Sequence, residues 1–253
     1  MHLSIIVPAH NEEKRLPKML DAYLPFFAGT CGNEFEMLII INGSTDGTEK
    51  VVARYAAIFP QLKTIVEPRP IGKGGAIMLG FAHALGSLIG FVDADGSTPP
   101  KAFQDLVTNI GQADAVIASR WIKGAVLNPP QPWSRRMASR LFNGVVRLLF
   151  NLHISDTQCG AKLMKREAAL AILPALGITR WAFDVDLLFQ LRRAGYKTNE
   201  IPTVWSDVTG SRVKIIRASL EMIVALARLR LLYSPFKGVV SFYDKYFARH
   251  FNA

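Results

Sequence analysis

Five short apolar runs mark the first 118 residues: Leu3 to Val7, Glu36 to Ile41, Leu62 to Glu67, Leu88 to Val92 and Ala113 to Ala118. Most are β-branched or leucine-rich and lack in/out alternation, as expected for strands of a parallel sheet covered on both faces. Helical patterns near residues 12–27, 46–59, 74–85 and 100–110 separate them. The βαβα series predicts an open α/β sheet. Ligands bind such sheets outside the carboxyl ends of the strands, so chemistry is expected just after Val7, Ile41, Glu67 and Val92.

The second half is less regular. Trp133 to Leu152 reads as an amphipathic helix, with Arg136, Arg140, Asn143 and Arg147 on one side and Met137, Leu141, Phe142 and Leu148 toward the other. Phe183 to Arg193 is a second helix and Thr198 to Val204 a strand; Val213 to Leu232 is a long apolar helix carrying Lys214, Arg217, Arg228 and Arg230. No internal repeat or low-complexity linker interrupts the chain. The uncharged stretch from Gly74 to Val92 is long enough to suggest a membrane span, but its glycines, His83 and Ser87 favour a buried helix followed by a buried strand. At the N-terminus no basic region precedes the apolar run Ile5-Ile6-Val7, which is too short for a secretory signal, and with only two cysteines a reducing compartment is expected.

Composition adds one point. Half of the 253 residues are apolar and only two are cysteines, which excludes a disordered chain or a disulfide scaffold. The net charge of +10 is uneven: residues 1–118 carry 9 Lys/Arg and 12 Asp/Glu, whereas residues 119–253 carry 21 and 8. A basic second half points to a phosphate-rich or anionic partner, or equally to a solvated basic face.

The strand ends supply the chemistry. The first is followed by Pro8-Ala9-His10-Asn11-Glu12, and proline is expected to end that strand. The second leads into Asn42-Gly43-Ser44-Thr45-Asp46, a tight turn in which Ser44 or Asp46 can cap the next helix. The third leads to Ile71-Gly72-Lys73-Gly74-Gly75, a glycine turn before a helix that suits a phosphate although its spacing is not that of a P-loop. The fourth ends in Asp93-Ala94-Asp95-Gly96. Carboxylates one residue apart after a buried strand can share Mg²⁺ or Mn²⁺ and leave room for substrate phosphates; taken alone, a polar turn capped by Ser97 or Thr98 explains them equally well. Four such turns on one edge favour a metal-dependent nucleotide-diphosphate site.

In order and spacing, these motifs resemble the inverting family 2 glycosyltransferases with a GT-A fold. Asp156-Thr157-Gln158-Cys159-Gly160-Ala161-Lys162, Trp181-Ala182-Phe183-Asp184-Val185-Asp186 and Gly210-Ser211-Arg212 are similar to the dolichyl-phosphate β-glucosyltransferase branch, and extend the resemblance to about residue 232. It implies a UDP-glucose donor and a polyprenyl (dolichyl) phosphate acceptor. It also implies a single GT-A catalytic domain over residues 1–210, followed by a basic, amphipathic, membrane-facing segment over 211–253. Carried over by position, Pro8, Ala9, His10 and Glu12 would contact the nucleoside, with Asn42 and Asp46 on the same donor side. Lys73 would lie near the donor, Asp93 would approach the ribose or the metal, and Asp95 would bind the metal. Two positions depart from the family pattern: Asn42 replaces a carboxylate expected to accept the uracil N–H, and His10 stands where tyrosine is common.

The resemblance implies attack by an acceptor phosphate on the anomeric carbon, for which no catalytic base is required. Asp184 and Asp186 are nonetheless candidates to face the reaction centre, with stabilisation of a helix start as the alternative for Asp184. Arg120, Arg135, Arg136, Arg140, Lys162 and Arg212 are candidates to hold the acceptor phosphate, by motif position for Arg120, Lys162 and Arg212 and by stripe geometry for the rest. The helices at 133–152 and 213–232 could lie in a membrane interface, helped by Leu231, Leu232, Tyr233, Phe236, Phe242, Tyr243, Tyr246 and Phe247. No segment after residue 118 is expected to span. The reading is a peripheral protein on the cytoplasmic face of a membrane, with burial of those aromatics in the catalytic domain or in a homo-oligomer as the competing arrangement. A GDP-mannose-dependent dolichyl-phosphate mannosyltransferase is the nearest alternative. A basic nucleic-acid-binding protein is the alternative from another class, disfavoured by the clustered carboxylates.

Overall fold

The computed structural model describes residues 2–177, 182–206, 215–235 and 238, without the side chains of 134, 135 and 215–221. A seven-stranded sheet forms its centre, in the order β3-β2-β1-β4-β7-β5-β8. The strands are β1 (Leu3–Ala9), β2 (Phe35–Asn42), β3 (Leu62–Glu67), β4 (Leu88–Phe91), β5 (Ala115–Ser119), β7 (Lys162–Lys165) and β8 (Thr198–Pro202). All pair in parallel except β7, which runs antiparallel to β4 on one side and β5 on the other. Two short strands, β6 (Val126–Asn128) and β9 (Val204–Ser206), form a separate parallel pair.

Helices cover both faces, as the uninterrupted apolar strands require. On one face, Leu3, Ile5 and Val7 of β1 pack with α1 (Leu16–Cys31) and α4 (Pro100–Thr108). On the other, Ile6 packs with α3 (Gly72–His83), α5 (Trp133–Phe150), α6 (Arg166–Ile172) and α7 (Phe183–Arg193). Each buried aliphatic side chain contributes roughly 1.5–3 kcal/mol relative to exposure, so period-2 distribution to two cores fixes the register. The remaining helices are α2 (Thr48–Ala56) and α8 (Ile215–Leu232). Leu226 and Leu229 of α8 are buried in the same core as α5 and α7.

Three sequence expectations change. β1 does not stop at Pro8: it continues to Ala9, with Pro8 opposite Ile40 of β2. The last bond from the β4 side is Val92 N–H to Ile6 O, so the missing proline N–H faces a side that β4 has already left. The antiparallel β7 has no counterpart in the sequence reading. On α5 the buried seam is Phe142, Val146 and Phe150, and Asn143 is buried with it, whereas Trp133, Met137, Leu141 and Leu148 are exposed. Asn143 faces inward because its Oδ1 accepts from the Thr157 N–H at 3.0 Å and hydroxyl at 2.8 Å.

Candidate active site

The carboxyl ends of β1, β2 and β4 and the start of α3 enclose a cleft of about 440 Å³. Pro8, His10, Glu12, Asn42, Lys73, Asp93 and Asp95 line it, joined by Arg15, Pro70, Gly72 and Ala94. The spatial order β3-β2-β1-β4 explains why four turns far apart in sequence meet here. Asn42 fastens three of them. Its Nδ2 donates to Ala9 O at 3.1 Å, its Oδ1 accepts from the Gly72 N–H at 3.2 Å, and its backbone carbonyl accepts from His10 Nδ1 at 2.7 Å. The amide oxygen expected to meet a donor base is thus occupied by the start of α3. Because a carbonyl only accepts, His10 Nδ1 carries the proton and Nε2 is left as the other polar atom of the ring. Gly43, at φ +58°, is required at the turn: a Cβ there would lie 2.8 Å from the Pro70 backbone.

Asp95 Oδ1 accepts from the Ser97 N–H at 2.9 Å, and Oδ2 has no protein donor among the described residues. Asp93 Oδ1 holds the Lys73 ammonium at 2.7 Å. Burial pushes the Glu12 carboxyl above its ordinary range against the pull of Arg15, and the charges of Asp95 and Asp93 add to the rise. Arg15 bonds both oxygens of Glu12, at 2.7 and 2.5 Å. Arg15 went unnoticed in the sequence because it sits in a Lys-Arg run that reads as a solvated face; its spacing of three residues from Glu12 was the available signal. Among the described residues, no group of three or more His, Cys, Asp or Glu side chains could hold a metal ion alone. Two carboxylates with a free oxygen nevertheless suit a hard cation that takes its other ligands from a diphosphate and water.

Lys73 lies in the first turn of α3, and its ammonium is also 3.7 Å from Asp184 Oδ2. Burial alone would lower Lys73, but Asp184 and Asp93 outweigh it and push the ammonium above its ordinary value. Asp184 Oδ1 meets Lys162 Nζ at 2.6 Å. Burial would raise the Asp184 carboxyl, yet Lys162 and Lys73 together hold it below the usual range.

Other expected site residues lie elsewhere. Asp46 does not line the cleft; its carboxylate accepts from the Glu13 and Thr48 N–H groups at 3.1 and 3.0 Å and fastens the turn before α2. Asp186 is buried on a different side of α7 from Asp184, since positions two apart on a helix diverge. Its Oδ2 accepts from the Gly177 N–H at 2.8 Å and its Oδ1 from the Tyr233 hydroxyl at 2.8 Å, and it does not line the cleft. Lys162 is fully buried and cannot touch an acceptor phosphate directly. Ala9 is buried and reaches the cleft through its carbonyl bond to Asn42.

Arg120 donates to both oxygens of the buried Asp156, at 2.7 and 2.9 Å, and its guanidinium lies 5.7 Å from the Trp121 ring and 5.5 Å from the Trp205 ring. Arg140 lies over Trp121 in turn, at 6.0 Å, while Arg136 is exposed on the same helix. β9, which carries Trp205, is tied to the metal-type turn by the Ser206 N–H to Ser97 O bond. Arg120 and Arg140 are therefore brought together at the Trp121 ring. The Arg135 side chain, Trp181, Arg212 with its Gly210-Ser211 neighbours, Lys214, the Arg217 side chain, Phe236, Phe242, Tyr243, Tyr246 and Phe247 lie outside the described residues.

The model of glycosyl transferase family 2 matches residues 4–173, which contain every cleft residue named above. The chain belongs to glycosyltransferase family 2. This glycosyltransferase is 34% identical over 245 residues to the dolichyl-phosphate β-glucosyltransferase of Dictyostelium discoideum, covering 92% of this chain and 75% of the relative. Glucosyl-3-phosphoglycerate synthase of Mycobacterium tuberculosis, solved with Mn²⁺ and UDP-glucose, superposes with a TM-score of 0.64 at 17% identity, over 90% of this chain and 78% of that one. A Pyrobaculum calidifontis mannosyltransferase, solved with GDP-Man and Mn²⁺, superposes with a TM-score of 0.60 at 17% identity, over 99% and 82%. The mixed α/β architecture of this enzyme is thus of the GT-A type, and both of these solved structures were obtained with Mn²⁺. Among the described residues, no helix is long and apolar enough to cross a membrane.

Proposed function

We propose that this glycosyltransferase moves glucose from UDP-glucose, with inversion, onto a polyprenyl phosphate such as dolichyl phosphate. The observation that carries the reading is likeness over nine-tenths of the chain to dolichyl-phosphate β-glucosyltransferases, with a cleft whose lining suits a nucleotide diphosphate. The nucleoside would lie against Pro8, His10 and Glu12, and the diphosphate toward Lys73 and the Asp93–Asp95 turn. Mg²⁺ or Mn²⁺ held by Asp95, with Asp93, would offset charge on the leaving diphosphate.

The acceptor phosphate oxygen attacks the anomeric carbon as the bond to the UDP oxygen breaks, and UDP carries away the electron pair. A phosphate monoester with a second pKa of about 6 is largely dianionic at neutral pH, so no proton has to be removed from it. Asp184, held ionised between two ammonium groups, suits an electrostatic role better than that of a base. The dianion needs cations beside an anionic donor, and Arg120, with Arg140 and Arg136, would supply them from the elements around Trp121 and Trp205. The exposed row of Trp133, Met137, Leu141 and Leu148 beside Arg136 and Arg140 supports docking on a membrane surface, where the acceptor's lipid resides.

A transfer assay with a panel of nucleotide sugars and a polyprenyl phosphate in detergent tests this. Metal-dependent product from UDP-glucose supports the reading. Product from GDP-mannose alone, or transfer to a hydroxyl acceptor in preference to the lipid phosphate, would replace it.

A further inference from the structure

Lys162 is a buried ammonium with no route to substrate. It begins β7, where antiparallel pairing sets it opposite Phe91, the last residue of β4 before the Asp93 turn. Its Nζ donates to Cys159 O at 2.7 Å and to Asp184 Oδ1 at 2.6 Å, and lies over the Phe91 ring at 5.3 Å. An ammonium without solvent is expensive to keep unless it is paired, and here the paired carboxylate belongs to a different element, α7. The second oxygen of that carboxylate turns toward Lys73, which sits over the same Phe91 ring at 5.8 Å and reaches Asp93 in the cleft. The four charges form one alternating row, Lys162, Asp184, Lys73, Asp93, whose inner end is closed and whose outer end faces substrate.

We infer that Lys162 is a positioning residue for the transfer reaction: through Asp184 it fixes where the Lys73 ammonium stands beside the donor diphosphate, and it makes no contact with the acceptor phosphate. This rests on the reading of the cleft as the donor site. Removing Lys162 frees Asp184 Oδ1, so the carboxylate rotates or draws Lys73 inward, and the diphosphate loses a correctly placed cation. Because Lys162 acts only through Asp184, the two side chains must behave as one unit in a double-mutant cycle.

The test compares Lys162→Met, Asp184→Asn and the double variant with wild type, with melting temperature as the check on folding. Steady-state kinetics are measured against polyprenyl phosphate at saturating nucleotide sugar, and UDP and GDP affinities are measured by calorimetry without transfer. Lys162→Met is expected to lower kcat by about tenfold or more and to weaken nucleoside-diphosphate binding, while the acceptor KM stays within about twofold. The double variant should be no slower than Asp184→Asn alone. A raised acceptor KM with unchanged kcat, a folded Lys162→Met with wild-type kinetics and nucleotide affinity, or effects that multiply in the double variant would each overturn the inference. If Lys162→Met does not fold, the double variant, which leaves no unpaired buried ammonium, is compared with Asp184→Asn; equal kcat supports the inference, and a further tenfold fall, roughly, overturns it. If wild type transfers no sugar, the proposed function fails, and the calorimetric cycle alone decides the role of Lys162.

Discussion

The two ends of the central sheet both bury charge, and they treat it in opposite ways. At the amino end, Glu36 of β2 is closed on all sides: Oε1 accepts from Ser4 Oγ at 2.6 Å and the Leu85 N–H at 2.7 Å, and Oε2 accepts from Lys63 at 2.8 Å. Ser4 Oγ accepts in turn from the Gly86 N–H at 2.8 Å. At the carboxyl end, Asp95 keeps an oxygen without a protein donor, Lys73 is shared by two carboxylates, and Glu12 is pushed up by burial beside two more. A saturated carboxylate stabilises a fold; one with spare capacity is available to a ligand.

Four substitutions can break or sharpen that contrast, from the largest effect to the smallest. Asp95→Ala should reduce transfer by at least about a thousandfold, with the melting temperature little changed; a matching loss of stability would make Asp95 a structural turn residue. Gly160→Ala comes next, because a Cβ there would collide with Asp93 Oδ2. Displacing that carboxylate should lower transfer by about a hundredfold, measured alongside Mn²⁺ binding in the presence of UDP.

Glu36→Gln should do the reverse, lowering stability by about 1–3 kcal/mol while leaving activity per folded molecule unchanged, as read by denaturant titration. Its pH dependence has a definite sign. Burial would raise the Glu36 carboxyl, but Lys63, Ser4 and the Leu85 N–H together hold it below its ordinary value. The stability it provides is therefore complete above the unfolded pKa of about 4.3, and is lost as pH falls through the lower folded value. The gap between wild type and Glu36→Gln should narrow in that acid range and stay constant above it. Arg140→Ala, on an exposed helix face, should raise the acceptor KM by about threefold and leave the donor KM alone. An equal change in both would move Arg140 out of the acceptor site.

Much of this was legible in the chain itself, for physical reasons that differ by element. β1, β2 and β4 were visible because strands buried on both faces must be continuously apolar, and their loops were visible because the chemistry sits where those runs stop. β7 was not: Lys162-Leu163-Met164-Lys165 is four residues long, begins and ends in lysine, and is a strand only because β4 and β5 leave a gap that needs its backbone bonds. That gap also hid the pairing of Lys162 with Asp184. The Asp184-Val185-Asp186 motif pointed both carboxylates at the reaction centre; the fold separates them, since Tyr233 and Gly177 claim Asp186 while Asp184 reaches the cleft only through Lys73. Asp46 matched the expected motif and serves the turn instead, since its two oxygens accept from the Glu13 and Thr48 N–H groups.

The antiparallel strand also has a consequence for synthesis. β1 to β4 can assemble in the order in which they are made, but β4 and β5 cannot be joined until β7 emerges, since Phe91 waits for Lys162 and Ile117 for the same residue. Until then, the middle of the sheet has two unpaired apolar edges, the kind of surface that invites another chain. A nascent polypeptide stopped short of residue 162 should therefore be the most aggregation-prone length of this protein, and the charge row completes itself in the same step that closes the sheet.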